Sequence, residues 1–443
     1  MSKIFKFNQT SKLILEDGLE ELANSFEVPN VVPGKKSVLI GVDGGSTQTR
    51  VLVVDANDGD NLEALSKIYA IPSTHSQIDT GESIEAQSDA IYNNMDSWIV
   101  NLIDAPNNVF DKVRVLRGTK CSDANRATVS ISTSEQKIDA TAFYVNLIDA
   151  IAYSLIMKYN GKEMPNEFDV YAGISLRPDD LKGNLNEEKF LSRVLGTFVW
   201  KNEIELKINI KGCNVNSEPE SEVKGYYSWV SEEVPETVLL LEGGGSSFGV
   251  EVLQNGVRQK NLSRTLEYGG RRLKQIIEDL FVEQNGGGVL TEANLEQAVT
   301  EGRITRGRSL IDCAKIVKTA KKEFAQQIFN DVKAQIFDRQ NKIKIQDLTS
   351  VVYGGRIFRD GVYDEDGTGY SLATPITENF KVYNDTAEYL VLDKNMIPFG
   401  NLLSVLNDFG GYVFSDNNSE DEAVEEIVNK DVDVDGDDWV PTE

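Results

Sequence analysis

Histidine is almost missing from this chain: His75 is the single one among 443 residues. A histidine-based catalytic triad or a multi-histidine metal site is thereby all but excluded. Cysteine is nearly as scarce. Cys121, Cys213 and Cys313 are odd in number and far apart, which fits neither a zinc site nor a disulfide framework. They are expected to be reduced thiols without a chemical role. Hydrolytic chemistry would then rest on carboxylates, backbone amides and a bound cation. Apolar runs of the roughly 20 residues that span a bilayer are also lacking. The segment Met1–Lys6 lacks the apolar core of a secretory leader. A cytoplasmic protein with no membrane association is expected. Basic charge is outweighed, with 45 Lys and Arg against 71 Asp and Glu and a net charge of −26. Sequence-independent binding to DNA needs a basic footprint. No direct DNA binding is expected, so any role on DNA would pass through an adaptor.

What is present divides into blocks. Hydrophobic residues make up 40% of the chain, enough for a large core, and a prior of about 150 residues per domain suggests two or three units. Residues 1–36 form an N-terminal extension. Its apolar stripe Leu13, Leu15, Leu19, Leu22 and Phe26 has helical spacing, suited either to docking or to packing as an arm. Val38–Asp55 reads as strand, glycine turn, strand. Thr141–Tyr159 reads as an apolar helix, Asp169–Leu176 as a buried strand, and Glu187–Leu195 as a helix crossing toward a second unit. Strand-like segments follow at Glu203–Ile210 and up to Asn216. Thr237–Leu241 and Phe248–Leu253 then repeat the strand, glycine turn, strand pattern. Helices are expected over Arg264–Phe281, Thr291–Glu301 and Ser309–Phe337, and a strand over Leu348–Tyr353. Alternating strands and helices imply an α/β fold. The tail 415–443 holds 12 acidic residues against one lysine and is expected to be disordered. Its Asp431, Asp433, Asp435 and Gly436 begin like a calcium loop, but Thr442 stands where the bidentate Glu would be needed.

Two loops carry the candidate chemistry. The first is Asp43-Gly44-Gly45-Ser46-Thr47-Gln48; the second is Glu242-Gly243-Gly244-Gly245-Ser246-Ser247. Each follows an apolar strand with a carboxylate, glycines and two hydroxyls. Glycine lets backbone N–H groups approach phosphate oxygens closely. Asp43 and Glu242 can hold Mg2+ through water, since that ion keeps most of its hydration shell. Neither loop is a Walker P-loop, because no Gly-Lys-Ser/Thr follows. Neither is a dinucleotide fingerprint, because a strand and not a helix comes next.

These motifs resemble those of the actin, chaperone and sugar-kinase superfamily. Asp43–Thr47 corresponds to its first phosphate motif, Glu242–Ser247 to its second, with Glu where Asp is usual, and Val351–Gly355 to its adenosine motif. Val170–Leu176 corresponds to its connecting strand. Within the superfamily the chain is most similar to the ParM-like plasmid-segregation actins. That similarity is carried by Glu218–Ser221, by Leu266–Leu273 and by Pro398–Leu406 with Asn401, and it spans residues 38–414.

The resemblance implies an actin-like fold of two related RNase H-like domains flanking a nucleotide cleft. Domain I would comprise 37–195 plus 392–414, and domain II 196–391. It implies ATP or GTP with Mg2+ as cofactors and a homopolymeric filament that segregates plasmid DNA through a DNA-binding adaptor. It further implies Gly270, Lys321 and Lys322 at the nucleotide, and Gly354, Gly355 and Arg356 on the base and α-phosphate side. The family's water-orienting carboxylate aligns on Pro178, so Asp179 is the first candidate for that role, with Glu242 and Asp180 as alternatives. A small-molecule phosphotransferase and a non-polymerising chaperone-like ATPase module are the rival expectations.

Overall fold

The structure is a computed structural model that describes residues 29–45, 48–56, 58, 68–73, 75–77, 98–106, 109–110, 112–117, 129, 136–202, 204–285, 289–337, 343–359, 362–363, 369–392 and 396–414. The stripe at 11–26, the acidic tail, Ser46, Thr47 and Cys121 lie outside the described residues.

The first sheet contains β1 (Asn30–Gly44), β2 (Gln48–Asp55), β3 (Ile68–Pro72), β4 (Ser76–Gln77), β5 (Trp98–Asp104), β6 (Val113–Arg117), β7 (Glu163–Leu176), β8 (Gly196–Lys201) and β9 (Glu205–Ser217). Their order is β3-β2-β1-β7-β9-β8-β5-β6-β4. The second sheet contains β10 (Thr237–Gly243), β11 (Phe248–Gln254), β12 (Val257–Arg258) and β13 (Arg264–Leu266). Two hairpins, β14 (Arg303–Arg306) with β15 (Ser309–Asp312) and β17 (Val362–Tyr363) with β18 (Gly369–Tyr370), stand apart. The second sheet is completed by β16 (Ser350–Gly354) and β19 (Glu388–Val391) and runs β12-β11-β10-β16-β19.

The two sheets share one plan. β1 pairs antiparallel with β2 and parallel with β7, which is parallel to β9. β10 pairs antiparallel with β11 and parallel with β16, which is parallel to β19. The repeated glycine turn therefore occupies the same topological place in both halves. β10 is buried along its whole length, which accounts for its apolar run Val238–Leu241.

The helices are α1 (Thr141–Lys158), α2 (Asn184–Val194), α3 (Glu218–Val230), α4 (Gly270–Asn285), α5 (Glu292–Glu301), α6 (Ala314–Gln335), α7 (Arg356–Arg359), α8 (Ala373–Lys381) and α9 (Ile397–Phe414). α1 is buried on every side from Ala142 to Met157, as an apolar helix enclosed by protein must be. Among the described residues no helix is long and apolar enough to cross a membrane.

Several elements differ from the sequence reading. β1 starts at Asn30, so the strand reaches into the segment assigned to the extension. The two strand-like segments expected up to Asn216 are one strand, β9, and β8 and β9 pair into the first sheet. The first sheet thus extends past residue 195, and the second begins only at Thr237. Arg264–Leu266 and Ser309–Asp312 are strands that precede their helices, because edge pairing with β11 and β14 takes residues that helical propensity alone would recruit. α3 has no apolar stripe long enough to announce it. Its start is set by Ser217, whose hydroxyl accepts the Glu220 N–H at 3.2 Å, and by a proline in the first turn.

α9 lies against the centre of the first sheet. A Cβ on Gly41 would fall 1.9 Å from the Pro398 carbonyl oxygen, and one on Gly173 2.0 Å from that of Asn401. α3 and α9 meet with equally little room, since a Cβ on Gly400 would fall 1.9 Å from the Ser221 carbonyl oxygen.

Candidate functional site

The first loop closes the β1–β2 turn. Asp43 is buried and pairs with Arg50 at 3.2 Å, while the same guanidinium donates to Gln48 Oε1 at 2.9 Å. A Cβ on Gly44 would lie 2.6 Å from the Phe143 ring, and one on Gly45 2.5 Å from the Gln48 carbonyl oxygen. Both positions need glycine. Behind the turn, Lys137 Nζ donates to the Gly44 carbonyl at 2.7 Å and Ser73 Oγ donates to the Gly45 carbonyl at 2.6 Å.

The second loop follows its strand at the same topological place and has different supports. Gly244 N–H donates to the Ser247 carbonyl at 3.0 Å. The carbonyls of Gly244 and Gly245 accept the N–H groups of Gly270 and Arg271 at 3.0 and 2.9 Å, at the start of α4. Ser246 is buried and Ser247 half-buried. Gly243 is pressed against Ile357, whose Cγ2 would be 2.0 Å from an added Cβ. Gly355 has φ +85° and packs on the Gly243 carbonyl; an added Cβ would be 2.4 Å away. Gly354 and Gly355 close on Glu222 of α3, whose Oε1 accepts the Gly355 N–H at 3.3 Å.

Between the loops stand four buried carboxylates: Asp43, Glu218, Glu222 and Glu242. Burial drives the Glu242 carboxyl well above its ordinary range, and the negative charges of Glu218, Glu222 and Asp43 add to this. Glu218 is raised by burial too, although the ammonium of Lys137, paired with its Oε1, opposes the shift. The carboxyls at the two strand ends thus form one buried cluster with Glu218 and Glu222, in which Lys137 is an opposing charge. A divalent cation suits such a donor set, being hard and oxygen-seeking. Among the described residues no cluster of three or more His, Cys, Asp or Glu is placed to hold a metal ion directly.

Other expected site residues have partners of their own, and Arg177, which binds Asp180, also feels the charge of Glu218. Asp179 sits on a 3-10 turn after β7. Its carboxylate is 39% exposed and paired with Lys182 at 2.5 Å, and its N–H donates to Thr265 Oγ1 at 3.1 Å. Asp180 is buried and bound by both Nε and Nη2 of Arg177 at 3.0 and 3.1 Å. Lys321 is buried, with Nζ donating to the Tyr370 carbonyl at 3.0 Å. Lys322 is exposed, and Arg356, 61% exposed, pairs with Glu296 at 3.6 Å. Sequence reasoning missed Lys137, Ser73 and Glu222, because nothing marks a lone polar residue in a distant segment, and it missed Arg50, which stands just past the first loop on β2. Glu218 was visible only as part of a motif.

Residues 237–355 match the family model of the archaeal actin homologue MreB-like C-terminal domain. No curated protein matches the chain by sequence. Among solved structures, the chain is similar to Ta0583, an archaeal actin homologue in complex with ADP, at 13% identity and a TM-score of 0.56, covering 84% of this chain and 98% of that one. It is similar to the subunit of a 15-stranded ParM filament from Clostridium botulinum at 16% identity and a TM-score of 0.53, covering 84% and 99%. It is likewise similar to Bacillus thuringiensis ParM with AMPPNP at 12% identity and a TM-score of 0.53, again covering 84% and 99%. The chain has the actin-like fold, and within it the segment 237–355 is similar to the archaeal MreB-like C-terminal family.

Proposed function

We propose that this chain is a nucleotide-dependent, filament-forming protein that binds ATP or GTP with Mg2+ between its two sheets and hydrolyses it. The observation that carries this reading is the pair of glycine turns at equivalent topological positions, one per sheet, sharing the buried carboxylates Asp43 and Glu242. Glycines at 44, 45, 243, 244 and 245, with the hydroxyls of Ser46, Thr47, Ser246 and Ser247 and the amide of Gln48, would cradle the phosphates. Gly270, Gly354, Gly355 and Arg356 would line the nucleoside side, with Lys321 and Lys322 on α6. Asp43 and Glu242 would hold Mg2+ through its water; when bound, the cation supplies charge compensation for the phosphates.

Fixed backbone donors stabilise charge on a transferring phosphoryl group without reorganising. A carboxylate orients the attacking water: Asp179 is the first candidate, Glu242 the second, and Glu218 a third that the cleft geometry adds. Closure of the two halves on nucleotide would complete head-to-tail contacts that do not close into a ring, which builds a filament. The ParM likeness supports plasmid DNA as cargo, reached through a DNA-binding adaptor, in the cytoplasm. Phosphate release with ATP or GTP and Mg2+ tests the catalytic part: release to water supports it, and transfer to a small-molecule acceptor would make the chain a phosphotransferase instead.

A further inference from the structure

A loop that binds anions through its N–H groups has a matching requirement: its carbonyls must be kept away from the anion. Each carbonyl oxygen is partly negative, and a peptide flanked by glycine can turn over at little steric cost. In the second loop this is done by main chain alone, since the Gly244 and Gly245 carbonyls are bound by the first N–H groups of α4. The first loop also leads into a strand, but the helix packed on it, α1, meets Gly44 with the Phe143 ring and not with its first N–H groups. Its two glycine carbonyls are bound by side chains instead, Gly44 by Lys137 Nζ and Gly45 by Ser73 Oγ.

Ser73 is itself built in. It is fully buried, and its hydroxyl also lies 2.9 Å from Thr49 Oγ1 on β2. Its own carbonyl accepts the Asn146 amide of α1 at 2.7 Å. The Asn146 oxygen in turn accepts from Arg117 Nη1 at 2.6 Å and faces His75 Nδ1 at 3.1 Å. Arg117 is paired with Asp149 at 2.6 Å, whose other oxygen accepts the Trp200 indole N–H at 2.8 Å. Buried polar groups are expensive to keep unless they are satisfied, and satisfied networks rigidify the segment they hold. This one ends on a single loop carbonyl.

We propose that Ser73 is a positioning residue for the phosphate site: it holds the Gly45 carbonyl back so that the first loop presents donors to the anion. Lys137 does the same for Gly44. The inference deepens the nucleotide-binding role proposed above and rests on it. Losing one such hydrogen bond is worth a factor of about 10 in the population of the competent loop.

The test is equilibrium affinity for ATP and GTP with Mg2+, and for the matching nucleoside without phosphate, in wild type, Ser73→Ala and Ser73→Cys. The expected result is about 10-fold weaker nucleotide binding for Ser73→Ala, a smaller loss for Ser73→Cys with its weaker donor, and unchanged nucleoside affinity. A merely structural role would lower the melting temperature of the free protein and leave nucleotide affinity of the folded fraction unchanged, or weaken nucleoside and nucleotide alike. Either pattern overturns the proposal. Wild type that binds neither nucleotide would instead sink the functional reading on which it rests.

Discussion

Asn401 of α9 donates its side-chain amide to the carbonyl of Val42 at 2.7 Å, one residue before the carboxylate of the first loop. The same side chain accepts from Ser221 Oγ at 2.6 Å and from Asn216 Nδ2 at 3.1 Å. One fully buried amide thus joins β1, the end of β9 and α3. The helix that returns the chain to the first sheet is thereby keyed to the strand that carries Asp43.

Replacing Asn401 with leucine keeps the volume and removes all three bonds. The Val42 carbonyl and the Ser221 hydroxyl would each lose this buried partner, and the expected loss of stability is about 3 kcal/mol. Urea titration checks it: the midpoint falls with an unchanged slope. A midpoint equal to that of wild type would show that the amide is incidental.

Glycine placement makes a paired prediction. Gly41→Ala drives a methyl to within 1.9 Å of the Pro398 carbonyl oxygen, whereas at Gly411 nothing lies within 4 Å of an added Cβ. Gly41→Ala should cost about 3 kcal/mol or more, since backbone must move. Gly411→Ala, in the last turns of α9, should stabilise slightly, by roughly 0.5 kcal/mol. Thermal melts of the two variants beside wild type separate these outcomes.

His75 gives the pH dependence a definite sign. Burial and the neighbouring Arg117 hold its imidazole at about 4, below the usual 6.5. The unfolded chain therefore binds the extra proton first as pH falls. The contribution is fully present above 6.5, declines as pH drops, and is gone below 4, a span of roughly 3 kcal/mol. Gln at this position keeps a side-chain N–H but cannot titrate. The stability difference between wild type and His75→Gln should shrink by that amount from pH 7 to pH 4. A difference independent of pH would mean that the imidazole is not held neutral.

Asp179 and Asp180 should behave unlike each other despite adjacency. Asp180 is locked to Arg177, so Asp180→Asn should lower stability with little change in kcat of the folded protein. Asp179→Asn should leave stability within about 0.5 kcal/mol, its ion pair with Lys182 being part-exposed. If its carboxylate orients water, kcat for hydrolysis falls about 100-fold at unchanged KM. If kcat falls instead in Glu242→Gln or Glu218→Gln alone, the water is oriented from the buried cluster.

The sequence made the repeat legible because both glycine turns follow short apolar runs, Val38–Val42 and Val238–Leu241. A buried parallel strand needs that pattern, and a phosphate loop needs those glycines. The order of the elements around Thr237–Gly243 and Val38–Gly44 could be read in the same way. The wide first sheet could not: the strand-like pattern up to Asn216 does not say that β9 and β8 insert between β7 and β5, which only long-range pairing decides. The supports of the site were equally hidden. Lys137 reaches Gly44 across 93 positions and Ser73 reaches Gly45 across 28, and neither belongs to a motif. Asn401 stood inside a motif, yet its partners Val42 and Ser221 emerge only from the packing of α9.

Sedimentation tests the central claim most directly. The 443-residue chain is spun at high speed after incubation with Mg2+ alone, with Mg2+ and ATP, and with Mg2+ and GTP, and the pellets are imaged by electron microscopy. The account predicts a pellet of filaments with at least one nucleotide and none without. Protein that stays in the supernatant under every condition would contradict it.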